Sequence, residues 1–297
     1  MQCPSFSENN LCLSGKYYAS FSTNEVYLSC DGSPSITALK IDGVITSANI
    51  LGSNLVVNST IGTSIFSVDT KRVLFFFPIK PSSPENDVQE YHQGAAIIDK
   101  NKICVGHSDG SIQIFSVDSG RFSFSSTIPS ENRSPVQYLS CLTREDEDLL
   151  ISGHSDGTVY AWRPGSKHGF ELVSTLHTPD NVVVTVASLG PWLIAGFTSG
   201  LVKFWRSSDF TLFLELQAHG RPLTAMAVEP TRGILATVAE DVVLNLWKIT
   251  DQPPYLENVF SEVVGQSALL GVAVDTVNKL VKLSAYEQDQ IISVPLV

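Results

Sequence analysis

The sequence predicts an all-β protein built from one repeated unit. No segment shows helical periodicity over ten residues or more. Residues 149–162 instead contain two short apolar runs around the turn Ser155-Asp156-Gly157, the local pattern of a β-hairpin. Related units recur at intervals of 42 to 47 residues, at residues 102–115, 192–205 and 235–247. A repeat of roughly 40–45 residues is typical of a β-propeller with four-stranded blades, which we therefore predict.

The strand pattern indicates the number of blades. Four regular repeats occupy residues 94–249, and their third strands end near Phe115, Trp162, Trp205 and Trp247. Residues 44–77 supply four strands of an earlier repeat, and residues 268–295 supply three strands of a final one. A degenerate first repeat has strands at residues 16–21, 25–28 and 36–41. Third strands near residues 38, 65, 114, 160, 203, 245 and 292 predict seven blades, with six and eight left open.

The two ends of the chain suggest how the ring closes. The final repeat stops after its third strand, and an uncovered apolar edge is an aggregation liability. Residues 11–13 form a brief apolar alternation with no assigned partner. We therefore predict that they pair beside residues 291–294. The expected domains are a tail at residues 1–8 and a propeller at residues 9–297, closed by pairing of the N- and C-terminal strands.

Composition places the chain among intracellular proteins. With 43% hydrophobic and 16% charged residues, it has ample material for a core. Its beginning lacks the pattern of a signal peptide, and no apolar run approaches the length of a membrane span. The cysteines are odd in number, without CxxC spacing, and are expected to be reduced thiols: Cys3, Cys12, Cys30, Cys104 and Cys141. We predict a cytoplasmic protein with no direct membrane insertion.

The net charge narrows the class of partner. The formal charge is −11, and no basic patch of the kind that binds nucleic acid is present. We therefore expect no nucleic-acid partner. Protein partners that carry basic segments remain open.

The sequence contains no pattern that indicates catalysis. A P-loop, a GxGxxG, a nucleophile elbow and an HExxH motif are all absent. The His-Ser-Asp triplets at residues 107–109 and 154–156 are neighbours in sequence, whereas a catalytic triad is assembled from separate elements. They are better explained as hairpin turns, because Asp-Gly supplies the positive φ that such turns need. The acidic run at residues 145–148 lacks the spacing of a calcium loop and indicates a solvated loop. No catalytic, cofactor or metal residue is predicted.

The repeats resemble those of the WD-repeat family of β-propellers. In that family a His precedes the first strand, a Ser or Thr lies in the second, an Asp in the next turn and a Trp in the third. One repeat carries all four, as His219, Thr237, Asp241 and Trp247. The resemblance implies a buried hydrogen-bonded chain through these side chains, a structural tetrad that fixes the turn to its blade. The Asp that follows the Trp in the family is replaced by Arg163, Arg206 and Lys248.

Two functions from different classes follow. The first is a non-enzymatic scaffold that binds proteins or peptides through a loop-bearing face of the propeller, because loops carry the variable side chains. The alternative is an enzyme or small-ligand binder with its site at the central channel. For the scaffold, turns between second and third strands are predicted to form the partner-binding face through His107, Ser108, His154, Ser155, Phe197, Thr198 and Glu240. Partner identity and oligomeric state are not specified by the sequence.

Overall fold

The protein is a seven-bladed β-propeller. The computed structural model describes residues 7–31, 35–80, 89–165, 169–250, 252–288 and 290–296. Over these ranges the chain forms 27 strands in seven antiparallel sheets, and no helix. Consecutive strands pair within each sheet, so the sheets follow one another along the chain as blades. The predicted all-β class and the seven blades are confirmed.

Six blades have four strands, and the seventh has three within the described residues. Blades 1 and 2 contain β1 (Leu11–Ser14), β2 (Tyr17–Phe21), β3 (Glu25–Cys30), β4 (Ile36–Lys40), β5 (Ile45–Leu51), β6 (Asn54–Ser59), β7 (Gly62–Ser67) and β8 (Val73–Pro78). Blades 3 and 4 contain β9 (His92–Ile98), β10 (Lys102–His107), β11 (Ile112–Asp118), β12 (Arg121–Ile128), β13 (Val136–Thr143), β14 (Asp148–His154), β15 (Thr158–Pro164) and β16 (Phe170–His177). Blades 5 and 6 contain β17 (Val183–Leu189), β18 (Trp192–Phe197), β19 (Leu201–Arg206), β20 (Leu212–Gln217), β21 (Leu223–Glu229), β22 (Ile234–Ala239), β23 (Val243–Ile249) and β24 (Leu256–Val263). Blade 7 contains β25 (Leu269–Asp275), β26 (Leu280–Ala285) and β27 (Ile292–Pro295).

The predicted pairing of residues 11–13 with residues 291–294 is wrong. β1 instead pairs antiparallel with β2, with Leu11 opposite Ser20 and Ser14 opposite Tyr17. A two-residue turn that contains Gly15, at φ +57°, joins the two strands. This local hairpin closes a far shorter loop than a pairing across the whole chain would. β1 is thus the first strand of blade 1, and the strand near residue 38, predicted as a third strand, is the fourth.

Buried apolar clusters join neighbouring blades. Among the described residues there are six such clusters, one in each gap from blades 1 and 2 to blades 6 and 7. The third-strand aromatic residues pack there, as their recurrence in register predicts: Phe115 lies between blades 2 and 3, Trp162 between blades 3 and 4, and Trp205 between blades 4 and 5. Apolar residues therefore recur along the sequence because each blade packs against the next around the ring.

Blades 7 and 1 meet through polar side chains. Lys282 of β26 lies 3.0 Å from an Asp31 carboxylate oxygen and 3.5 Å from one of Asp275. Asn278 donates to Asp31 across the same gap, at 3.0 Å. The Lys282 ammonium also lies 4.2 Å from the centre of the Tyr18 ring. The ring therefore closes through an ionic clasp, which we define as Lys282, Asp31, Asp275 and Asn278.

Candidate functional site

The four predicted tetrad residues lie together in blade 6. Trp247 Nε1 donates to Thr237 Oγ1 at 3.1 Å, and Thr237 Oγ1 lies 2.9 Å from His219 Nε2. His219 Nδ1 lies 3.0 Å from Asp241 Oδ2. Since the carboxylate can only accept, His219 donates from Nδ1 and accepts the Thr237 proton at Nε2. The result is one directed chain from Trp247 to Asp241, which spans the blade.

Blade 4 builds the same relay with a different histidine. Trp162 Nε1 donates to Ser152 Oγ at 2.9 Å, and Ser152 Oγ lies 2.9 Å from His154 Nε2. His154 Nδ1 donates to the Ser134 carbonyl at 2.9 Å. The ring comes from the end of β14 in place of the linker before the first strand, and burial lowers its pKa. The sequence comparison overlooked this role because the histidine stands two residues after the serine.

Two buried histidines meet in blade 3. The ring centres of His92 and His107 lie 5.3 Å apart, and His107 Nδ1 lies 2.9 Å from Asp109 Oδ1. The hydrogen bond from His107 holds the pKa of Asp109 well below its usual range. His92 Nδ1 lies 2.8 Å from Thr63 Oγ1 in blade 2, and burial lowers the pKa of His92 to about 3. His92 therefore stays neutral near pH 7 and links two blades.

Three residues predicted on the partner-binding face are buried. The exposed fraction is 6% for His107, 1% for His154 and 0% for Phe197. All three occupy the last position of a second strand, at the ends of β10, β14 and β18. In blade 6 this position is Ala239, because His219 enters from the linker and fills the space. Phe197 is thus the apolar counterpart of His154 in the core, and its predicted exposure is wrong.

One residue after the end of the second strand, hydroxyl side chains form hydrogen bonds between the turn to the third strand and the linker that precedes the blade. Ser108 Oγ accepts from Tyr91 N at 3.1 Å, and Ser155 Oγ lies 3.0 Å from Ser134 Oγ. Thr198 Oγ1 accepts from Val182 N at 3.3 Å. These three residues are half-buried, whereas Glu240 is exposed. Of the seven predicted contact residues, four therefore reach the surface.

Loops of two kinds meet on one face, which we call the turn face. They are the turns between second and third strands and the linkers from a fourth strand to the next first strand. Within the described residues, these loops and residues 7–10, which lead into β1, carry ten acidic residues: Glu8, Asp42, Glu90, Asp109, Glu131, Asp156, Asp180, Glu240, Asp241 and Glu287. The described residues of the turn face include three basic side chains: Lys80, Arg133 and Arg221. Like charges on one face create a field that attracts cationic partners.

The opposite face has balanced charge. Its loops carry seven acidic residues within the described ranges: Asp31, Asp69, Asp99, Glu145, Asp146, Glu147 and Asp209. Seven basic residues accompany them: Lys16, Lys71, Arg72, Lys100, Arg144, Arg232 and Lys279. Within the acidic run at residues 145–148, Glu147 lies 3.7 Å from Arg144 and also accepts two hydrogen bonds from Arg163 of β15, at 2.6 and 3.1 Å.

The first strands of all seven blades line a central cavity of about 380 Å³. Its lining residues include Tyr138, Thr185 and Met226, and none is charged or a histidine. Burial raises the pKa of Cys12 to about 12 and that of Cys141 to about 11, so both thiols are protonated and poor nucleophiles. Asn9 crosses the channel mouth on the turn face, where it donates to the carbonyls of Thr224 and Val184 at 3.2 and 2.8 Å.

No group of three or more potential ligands in the described part of the chain is arranged to hold a metal ion. No helix there is long and apolar enough to cross a membrane.

Comparison with known proteins agrees with the blade geometry. No protein-family model matches the chain. Over 206 residues it is 23% identical to WD repeat-containing protein 54 of Mus musculus, which covers 67% of this chain and 60% of that protein. Over 134 residues it is 31% identical to the target of rapamycin complex subunit wat1 of Schizosaccharomyces pombe, covering 43% of this chain and 42% of that one. A chain in the crystal structure of the mitotic checkpoint complex superposes with a TM-score of 0.82 at 19% identity, over 99% of this chain and 90% of that chain.

This chain is a seven-bladed β-propeller that is similar to WD-repeat proteins. Its repeats keep the family's tryptophan relay in blades 4 and 6, while blade 5 replaces the histidine with Phe197. Residue patterns within residues 93–250, such as Ala161-Trp162-Arg163, predict a similarity to WD repeat-containing protein 54, and the 206-residue match to the mouse protein confirms that similarity. The propeller spans three fifths of the length of that relative.

Proposed function

We propose that this WD-repeat propeller is a non-enzymatic scaffold whose turn face binds partner proteins through basic segments. The observation that carries the proposal is the asymmetry of charge: ten acidic and three basic residues on the described part of the turn face, against seven of each opposite. Such a field raises the association rate of cationic segments and falls off with salt. The exposed carboxylates Glu131, Asp180, Glu240 and Glu287 are available for contact.

The comparisons support this class of function. One relative is named as a subunit of a complex, and the structural neighbour comes from a crystallised complex. The central channel supports the alternative less well, because the described lining of its 380 Å³ cavity carries no charged side chain and its thiols are held protonated, although Glu8 lines the channel mouth. The cytoplasmic location stays a prediction.

Affinity capture with mass spectrometry tests the proposal. Wild-type propeller is compared with a turn-face variant, Glu131→Gln, Asp180→Asn and Glu240→Gln, in which exposed carboxylates become isosteric amides. The matched control removes the same number of charges from the opposite face, through Glu145→Gln, Asp146→Asn and Asp209→Asn. We expect the wild-type protein and the control to capture proteins that carry basic segments, and the turn-face variant to lose them. Loss from the control alone would place binding on the opposite face and overturn the proposal.

A further inference from the structure

The outermost strand of blade 2 differs from the other outermost strands. β8 reads Val-Leu-Phe-Phe-Phe-Pro, without a polar side chain, whereas β4, β12, β16, β20 and β24 each contain charged and polar residues. Val73 is 60% exposed, and Leu74 and Phe76 are each 45% exposed. Other outermost strands expose at most one large apolar side chain. An exposed apolar edge strand is a site at which another chain can pair, so proteins usually cover it.

Apolar side chains lie on both faces of β8. Phe77 stacks on Phe124 of β12, with ring centres 5.5 Å apart, and Phe75 stacks on Phe122 at 6.0 Å. Phe124 itself is 48% exposed, so this side ends in an open aromatic surface. Side chains alternate along a strand, so Phe76 projects from the other face. Both faces of the strand are therefore left partly uncovered.

The free backbone of β8 centres on Phe76. Ile79 N donates to the Ile61 carbonyl at 2.9 Å, towards the interior of the blade. By alternation, the N–H and C=O of Phe76 point away from β7, as does the Pro78 carbonyl. Pro78 has no N–H, and the register shift beside Leu74 ends the regular ladder on the other side. The edge thus offers a short stretch of strand with one defined register.

Basic residues flank this apolar stretch. Lys71 and Arg72 precede β8, Lys80 follows it, and all three are exposed. None of them forms an ion pair with another described residue. Antiparallel pairing with a second copy of β8 would bring Lys71 and Arg72 close to Lys80 of that copy, which like-charge repulsion disfavours. The charges fit a partner with acidic residues at both ends of an apolar core.

We propose that β8 accepts an extended apolar segment of a partner protein, flanked by acidic residues, as a fifth strand of blade 2. An added strand places alternate side chains on both faces of the sheet, beside Phe76 and beside the Phe77–Phe124 stack, whereas a helix covers one face. The Phe76 N–H and C=O supply the backbone pairing. This surface lies on the rim of the propeller and goes beyond the proposed turn-face function.

A designed peptide provides the probe. It contains six alternating valine and leucine residues, apolar on both faces of a strand, between two pairs of aspartates, with blocked ends and a fluorescent label. We expect it to bind wild-type protein, by fluorescence polarisation, and to protect the Phe76 amide from hydrogen exchange. Phe76→Lys should weaken binding by about tenfold or more, because a charge replaces a buried contact. The control Leu212→Lys, at a residue 51% exposed on β20, should change the affinity less than about twofold.

Further peptides separate strand addition from other modes. A lysine-flanked peptide should bind wild-type protein more weakly and should be preferred by the double variant Arg72→Glu, Lys80→Glu. A peptide N-methylated in its core cannot pair with the edge, so equal binding of this peptide would overturn the proposal. No measurable binding of the aspartate-flanked peptide would do so as well. If wild-type protein is instead a dimer by light scattering and Phe76→Lys is a monomer, the occupant is a second copy and the proposal is wrong.

Discussion

At the scale of single residues, blades 4 and 6 hold their third-strand tryptophan by hydrogen-bonded chains that use differently placed histidines. In each, a tryptophan Nε1 donates to a second-strand hydroxyl that lies 2.9 Å from a histidine Nε2. The histidine then ends the relay on a carboxylate in blade 6 and on a backbone carbonyl in blade 4. Residue spacing predicted the first relay because it follows the family order. It missed the second because His154 reaches the same space from another position.

Removing the carboxylate of the blade 6 tetrad should destabilise the protein. Asp241→Ala leaves the buried His219 Nδ1 without its acceptor, which costs about 1–3 kcal/mol of unfolding free energy. Asp109→Ala should cost less, because the Asp109 side chain is 57% exposed and ends no tryptophan relay. Chemical denaturation of both variants measures the difference. Equal losses would contradict a special role for the tetrad.

Phe197 is expected to contribute to stability and not to partner binding. Phe197→Ala removes a fully buried ring between blades 4 and 5 and should cost about 3–5 kcal/mol through lost transfer energy and a cavity. Leu212→Ala, at an exposed side chain, is the control and should change stability by less than about 0.5 kcal/mol. Thermal and urea unfolding give both values. A stable Phe197→Ala protein that has lost its partners would restore the contact role.

His92 should make the protein sensitive to acid. Its pKa is about 3 in the folded state against an ordinary value of 6.5, because burial disfavours the charged ring. The unfolded chain therefore takes up a proton first, so stability is lost as the pH falls from 6.5 towards 3 and is unaffected above that window. His92→Asn should reduce the slope of unfolding free energy against pH over this range. An unchanged slope would show that His92 is not the group responsible.

At the scale of elements, local hairpins decide the course of the chain. β1 pairs with its neighbour β2 across Gly15 and lies outside the sheet of β25, β26 and β27 at the far end of the sequence. The clasp of Lys282, Asp31, Asp275 and Asn278 joins blades 7 and 1 instead. Burial alone would lower the pKa of Lys282, but the hydrogen bond and charge of Asp31 raise it above its ordinary value.

Breaking this clasp should cost more than breaking a surface ion pair. Lys282→Met leaves Asp275, whose side chain is 1% exposed, without its cation and should destabilise by about 3–5 kcal/mol. Lys203→Met is the matched control, because its partner Glu215 is 49% exposed and such pairs contribute about 0–1 kcal/mol. Urea denaturation compares the two. A loss at Lys282 no larger than that at Lys203 would argue against the clasp.

At the scale of the whole molecule, the charge of −11 is distributed unevenly between the two faces. The composition favours partners other than nucleic acid, but it does not show where the acidic residues gather. Folding brings Glu131, Asp180 and Glu240 from three linkers and turns to the same face, although they are far apart in sequence.

This asymmetry predicts salt-sensitive binding of cationic peptides. An octalysine peptide should bind the wild-type turn face at low ionic strength and weaken as salt screens exposed charges over about 10 Å at 0.1 M. The turn-face variant should bind it more weakly than the opposite-face control and respond less to salt. Isothermal calorimetry at several salt concentrations tests this. Identical salt dependence in all three proteins would contradict a role for the turn face.

The sequence by itself determined the all-β class, the repeat and the members of one tetrad, and it favoured seven blades while leaving six and eight open. These follow from local signals: apolar alternation, Asp-Gly turns, and a histidine, threonine, aspartate and tryptophan in order along one repeat. Only the tertiary structure decided the pairing of β1, the clasp, the burial of His107, His154 and Phe197, and the acidic turn face. The pairing of β1 with β2 is a local hairpin, whereas the clasp, the buried side chains and the acidic face depend on which residues distant in sequence come to share one space. Periodicity in the sequence shows which side chains share one face of a strand, but packing against the neighbouring blade determines which of them are exposed to solvent.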